Sequence, residues 1–163
     1  MTTIHLTELN MRVFVDTEFT HLQHRELISI ALVAENGAEF YGESSEFDQS
    51  RCSDFVREVV MPQLGTPAGR SMPYLELRRE VQEWLGRFSR QDRPVVCYDF
   101  EGDLQLLESL IGGGLPLGWR HENIWTKLSS ARLDEYFSEH GHQHHALWDA
   151  RAMRVSMHPK AVN

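Results

Sequence analysis

A mixed α/β sheet of five or six strands with helices on both faces is the fold class the sequence predicts. Residues 11–43 hold three apolar, β-branched or aromatic runs joined by short polar connections, which describes a β-meander. From residue 54 onward the apolar spacing turns helical and alternates with short apolar runs, the pattern of helices packed on a sheet. The 163 residues suffice for one core and are few for two, so residues 1–163 are expected to form a single domain.

Residues 2–10 are polar and read as a lead-in. Residues 11–15 form strand one, which delivers Asp16 at its end. Residues 21–25 read as a connection, and 26–34, nearly continuous in Leu, Ile and Val, as a second strand. Glu35-Asn36-Gly37 is a hairpin signal with Asn-Gly at its centre, making 38–43 an antiparallel third strand. Phe55, Val56, Val59 and Val60 space a helix over 54–60 that Pro62 ends. Gly65, Pro67 and Gly69 make 64–71 a loop. Pro73 opens a longer amphipathic helix through Leu77, Val81, Trp84 and Phe88. Residues 94–98 are a short buried strand and 103–110 a helix. The three-glycine run within 111–118 follows a helix and lacks the Lys-Ser/Thr of a phosphate loop, so it reads as a linker. Residues 124–126 are expected to be the last strand, 130–139 a helix and 144–157 the closing helix.

A hydrophobic content of 41% and a charged content of 25% are those of an ordinary soluble protein. The longest apolar run, 27–34, is too short to cross a membrane, and the N-terminus lacks a secretory pattern. Cys52 and Cys97 show no metal or redox spacing, so reduced thiols in a cytoplasmic protein are expected. The net charge of −8 argues against gripping nucleic acid through a broad basic surface. It leaves open a phosphate held through bound cations, which can be the largest local charges in a site.

Asp16 and Glu18 stand at i and i+2 on the first strand, so both carboxylates point to one face. Paired acids in a half-buried place are costly unless a cation joins them, and Mg²⁺ prefers such oxygen ligands. The pair alone says little, since an Asp-x-Glu arises by chance in roughly half of chains this long. Two later acids add to it. Asp103 opens a helix five residues after a buried strand, and Asp149 falls on the first turn of the closing helix with His144 just before it. Fixed carboxylates with a histidine on less regular backbone suit phosphodiester hydrolysis, where metals clamp the oxygens and a base near neutral pKa takes a proton. The crowding of His140, His142, His144 and His145 also allows a solvated loop or a transition-metal site.

Asp-x-Glu on the first strand, an Asp opening a helix after Val95-Val96-Cys97-Tyr98, and His-x4-Asp near the C-terminus resemble the three motifs of the DEDDh 3′–5′ exonucleases. Glu26-Leu27-Ile28-Ser29-Ile30 and Ser45-Glu46-Phe47-Asp48 look like the small bacterial exoribonuclease branch of that group. The resemblance implies a ribonuclease H-like fold and two divalent ions, Mg²⁺ or Mn²⁺, on Asp16, Glu18, Asp103 and Asp149, with His144 as general base. It implies contacts from Thr17, Phe19, Thr20 and Leu22 to the 3′-terminal nucleotide, Phe19 by stacking. His145, four residues before Asp149, stands where a sister group carries a tyrosine and where relatives often have Arg. Tyr98-Asp99 replaces the His-Asn pair common before the second motif, which adds negative charge. The expected activity is release of nucleoside 5′-monophosphates from single-stranded or overhanging RNA 3′ ends, possibly by a homodimer. The same chemistry on DNA, or a silent nucleic-acid-binding module, are the alternatives.

Overall fold

The carboxyl ends of two neighbouring parallel strands meet at the middle of a six-stranded sheet, and every other element is arranged around that junction. The computed structural model describes residues 10–157, so the lead-in expected over 2–10 lies, apart from Asn10, outside the described residues. The strands are β1 (Arg12–Phe19), β2 (Leu27–Ala34), β3 (Glu39–Ser44), β4 (Ser71–Met72), β5 (Val95–Tyr98) and β6 (Arg120–Asn123), in the order β4-β3-β2-β1-β5-β6. The first three form the antiparallel meander, while β5 joins β1 in parallel and β6 joins β5 in parallel. The sheet is therefore mixed, as expected.

The helices are α1 (Tyr74–Leu85), α2 (Glu101–Ile111), α3 (Ser130–His140) and α4 (Ala146–Ser156). Strand alternation divides the core between the two faces. Val13, Val15, Ile30 and Leu32 pack with Leu77, Val81 and Leu107 of α1 and α2. Phe14, Ala31, Val33 and Cys97 pack with Leu147, Ala150 and Met153 of α4. β2 is buried along its whole length, which is why it reads as an apolar run without alternation. Opposite the acids, the β1–β2 register slips so that Phe19 pairs with Leu27 and Ile28 is passed over. That bulge reverses the parity of the strand. Leu27 joins the α1–α2 face, and Ile28 packs instead with Cys52, Val56 and Val60.

The hairpin forms as read, with Gly37 at φ +92 and Asn36 Oδ1 accepting from the Ala38 N–H at 3.0 Å. Five elements differ from expectation by more than a residue or two at their ends. β1 runs on to Phe19 where the strand was expected to end at Asp16. The last strand lies at Arg120–Asn123 rather than 124–126; as an edge strand of Arg, His, Glu and Asn it carries no apolar signal. Ile124 is buried just beyond it, and Trp125–Lys127 is a single 3-10 turn. The helix over 54–60 forms but winds as a π-helix over Val56–Val60, and Pro62 lies inside a further 3-10 turn, Met61–Gln63, rather than ending the segment. The loop at 64–71 gives up its last residue to the two-residue β4, which pairs in parallel with β3. α1 ends at Leu85, short of Phe88. No helix of the described residues is long and apolar enough to cross a membrane.

Candidate active site

Asp16 and Glu18 occupy the C-terminal half of β1 on the α4 face, with Thr17 between them turned toward α2. The parallel register pairs Arg12 with Val95, Val13 with Val96 and Phe14 with Cys97. Two further steps along both chains bring Asp99 beside Asp16, just past the end of β5. α2 then delivers Asp103 and α4 delivers Asp149. In open α/β sheets this carboxyl-end crevice is where ligands bind.

The carboxylates form two groupings that share Asp16. Oxygens of Asp16, Glu18 and Asp149 lie within 4.8 Å of one another, and so do oxygens of Asp16, Asp99 and Asp103. Thr17 holds Asp103 by its backbone N–H at 3.2 Å and its hydroxyl at 2.6 Å, both donated to Oδ1. Asp149 accepts the His144 N–H on both oxygens, at 3.2 and 3.1 Å. Asp16 Oδ2 is sealed from solvent and has no hydrogen-bond partner.

Burial, reinforced by neighbouring acids, drives the proton affinities. Asp16 is raised well above the usual carboxylate range by desolvation, then by Asp103, Asp149, Glu18 and Asp99. Glu18 is raised by desolvation, Asp149 and Asp103. Desolvation lifts Asp103 to about 7 against the Thr17 hydroxyl, and Asp149 to about 8 against the His144 N–H. Asp99 is raised by burial as well. Among the described residues, no Lys or Arg lines the pocket formed by Asp16, Glu18, Asp99, Asp103, Asp149 and His144. An all-oxygen donor set with an orphaned buried oxygen at its centre fits a hard divalent cation, which removes the cost of ionising these acids together.

His144 is held from three sides. Its φ of +65 is sparsely populated for a residue with a Cβ. The Asp149 carboxylate accepts from its N–H, and Gln63 Nε2 donates to the carbonyls of Gln143 (2.9 Å) and His144 (3.4 Å). Phe55 meets its ring edge-on at 5.0 Å. Burial lowers the His144 pKa, keeping the imidazole neutral and able to accept a proton.

His145 points away from the acids. It is buried, its Nδ1 caps α4 by accepting the Leu147 N–H at 3.2 Å, and Nε2 meets the Thr66 carbonyl at 2.6 Å. Tyr41 stacks on the ring at 4.8 Å. His140 stacks on Tyr136, and His142 lies against Trp148. Among the described residues, no histidine joins a grouping able to hold a metal.

The residues expected at the terminal nucleotide fare differently. Phe19 lines the pocket and stacks at 6.0 Å on Phe100, with the Arg25 guanidinium 6.0 and 5.3 Å from the two rings. Thr17 also lines it, though its hydroxyl is engaged by Asp103. Thr20 is fully buried and holds its own turn: the hydroxyl donates to the His24 carbonyl and accepts from the Glu26 N–H. Leu22 is 63% exposed and lines neither the acidic pocket nor the groove beside it. Sequence reasoning missed Phe100 and Trp125. Trp125 is 67% exposed in a groove of about 310 Å³ that also contains Asp16, Asp99, His144 and Asp149. An isolated aromatic gave no signal; only the meeting of β5, β6 and α4 places it there.

The fold is one that a solved nuclease shares. The chain matches the crystal structure of cell-death related nuclease 4 with a TM-score of 0.55, covering 90% of this chain and 62% of that one at 13% identity. In sequence it is 44% identical over 77 residues to 3′–5′ exoribonucleases from two strains of Mycobacterium tuberculosis. The aligned stretch covers 46% of this chain and 46% of each of them, so the chain spans about half the length of the curated relatives it matches. No family model matches it. The resemblance to 3′–5′ exonucleases is shown by these homologues together with the shared fold.

Proposed function

We propose that this chain is a metal-dependent exonuclease that hydrolyses RNA from its 3′ end and releases nucleoside 5′-monophosphates. The observation that carries the reading is the meeting of Asp16, Glu18, Asp103 and Asp149 from three elements around one orphaned oxygen, with the His144 loop tied to the same Asp149. The activity for which the 44% identical relatives are named, 3′–5′ exoribonuclease, supports the 3′ direction and the choice of RNA.

Mg²⁺ or Mn²⁺ held by these four carboxylates would supply charge neutralisation and polarisation of the scissile phosphate. The chain's own residues do the rest. His144, neutral and on a braced loop, takes a proton from the attacking water. The water oxygen bonds to phosphorus and the bond to the 3′ oxygen of the preceding nucleotide breaks, so phosphate leaves with the terminal nucleoside. Thr17 keeps Asp103 oriented. The Phe19–Phe100 pair offers a face for the terminal base, and Arg25 over it brings a positive charge.

The test is a time course on 5′-labelled RNA and DNA of one sequence, with Mg²⁺, Mn²⁺ or chelator. A metal-dependent ladder shortening from the 3′ end, absent in Asp16→Ala and His144→Ala, is expected, faster on RNA. Intact substrates with the wild type in both metals would overturn the reading, and a faster DNA ladder would reassign the substrate.

A further inference from the structure

We propose that Asp99 is a fifth carboxylate ligand of the metal centre, completing with Asp16 and Asp103 the second of the two acid groupings. The inference rests on the metal-dependent reading above and extends it to a residue outside the motif set.

Three observations place Asp99 there. The β1–β5 register carries Asp99 to the level of Asp16, and strand alternation turns both residues to the face of Phe14 and Cys97. Its carboxylate oxygen then lies within 4.8 Å of oxygens from both Asp16 and Asp103. The orphaned Asp16 Oδ2 belongs to the residue the two groupings share, and a cation held there would give it the partner that no protein donor supplies among the described residues. Asp103 adds to the need, because its Oδ1 already accepts two hydrogen bonds from Thr17. Without Asp99 this side has few free oxygens for a cation that takes about six.

A carboxylate at this position brings a charge as well as an oxygen. With aspartate, five carboxylates face the two ions, so the ions are held more tightly while less positive charge is left for the phosphate. Asp99 also lines the groove toward Trp125, where no Lys or Arg of the described residues joins it.

The test is calorimetric titration of Mn²⁺ into the metal-free full chain, for wild type, Asp99→Asn and Asp99→Ala. Wild type is expected to take up two ions. Asp99→Ala is expected to lose one of them or bind it at least tenfold more weakly, with Asp99→Asn between. Asp134→Asn serves as a control for charge acting at a distance, since Asp134 lines the same groove but joins neither acid grouping; it is expected to bind as wild type does. Circular dichroism in chelator checks that each variant folds, and the isosteric Asp99→Asn carries the test if Asp99→Ala does not. Two-ion binding within twofold of wild type in the Asp99 variants overturns the role of Asp99 and leaves the metal-dependent reading standing. Absence of ion binding by the wild type overturns that reading itself.

Discussion

Thr17 shows how much a side chain that need not touch substrate can control. It sits between the two strand acids, faces the opposite side of the sheet, and spends its hydroxyl on Asp103. Partners that orient a ligand typically matter about 10- to 100-fold in metal affinity or activity. Thr17→Val is expected to lower turnover by about that range, with partial recovery at high Mg²⁺; wild-type turnover at limiting Mg²⁺ would remove Thr17 from the machinery. His144 makes a separate prediction about pH. Burial depresses its pKa below the ordinary value of about 6.5, and only the neutral ring accepts a proton. The rate should therefore fall only as pH drops below about 6.5, and His144→Ala should lose about 100-fold or more in kcat. An acid limb centred above that value would point to a different base. Asp16, Glu18, Asp103, Asp149 and His144 were singled out in the sequence by their places near element ends together with the resemblance to the three DEDDh motifs, and the fold brings them to one crevice. Thr20 was misread because no local rule says whether a hydroxyl turns to the pocket or closes its own turn.

At the scale of elements, the N-terminus of α4 is the part that holds the site to the fold. His145 caps the helix, meets the Thr66 carbonyl and stacks on Tyr41 of β3, so one residue ties three segments together. Loss of a helix cap costs about 1 kcal/mol, equivalent to roughly 2–4 °C in Tm for a chain of this size. His145→Ala should lower Tm by at least that amount, and His145→Asn, which keeps a capping oxygen, should recover part of it; equal Tm in the two variants would deny the cap its role. The neighbouring 3-10 turn acts on the loop rather than on the fold. Gln63→Ala releases the carbonyls of Gln143 and His144, so kcat should drop while Tm stays within about 2 °C of wild type. The sequence placed α4 and its first-turn acid well, since alternating Ala, Leu, Trp and Met show a helix. It missed β4 and misplaced β6, because edge strands of two to four polar residues are made by pairing with a neighbour and carry no hydrophobic pattern of their own.

Over the whole molecule, the acids make stability depend on pH in an unusual direction. Asp103 and Asp149 hold protons up to about 7 and about 8 in the folded chain, whereas unfolded aspartates release them near 4. Between those limits the folded state binds more protons than the unfolded one, so the metal-free fold loses stability as pH rises. The stabilisation from protonation is complete below about pH 4 and is lost as pH passes through 7 to 8. A cation bound only by the native state should reverse that loss. Thermal melts in chelator should show Tm falling from pH 5.5 to 8.5, with the increment from millimolar Mg²⁺ or Mn²⁺ growing over the same interval; a flat profile in chelator would contradict protonated acids in the free site. The mixed sheet, the meander and the helices on both faces were determined by the sequence, because periodic burial and turn chemistry act over a few residues at a time, and the four motif acids were picked out by their resemblance to a known set. Which residues meet across the chain was decided only by the tertiary structure. Asp99 joins Asp16 through a parallel strand register, Phe100 joins Phe19, Trp125 reaches the groove and His145 turns inward, and each follows from packing between elements far apart in sequence.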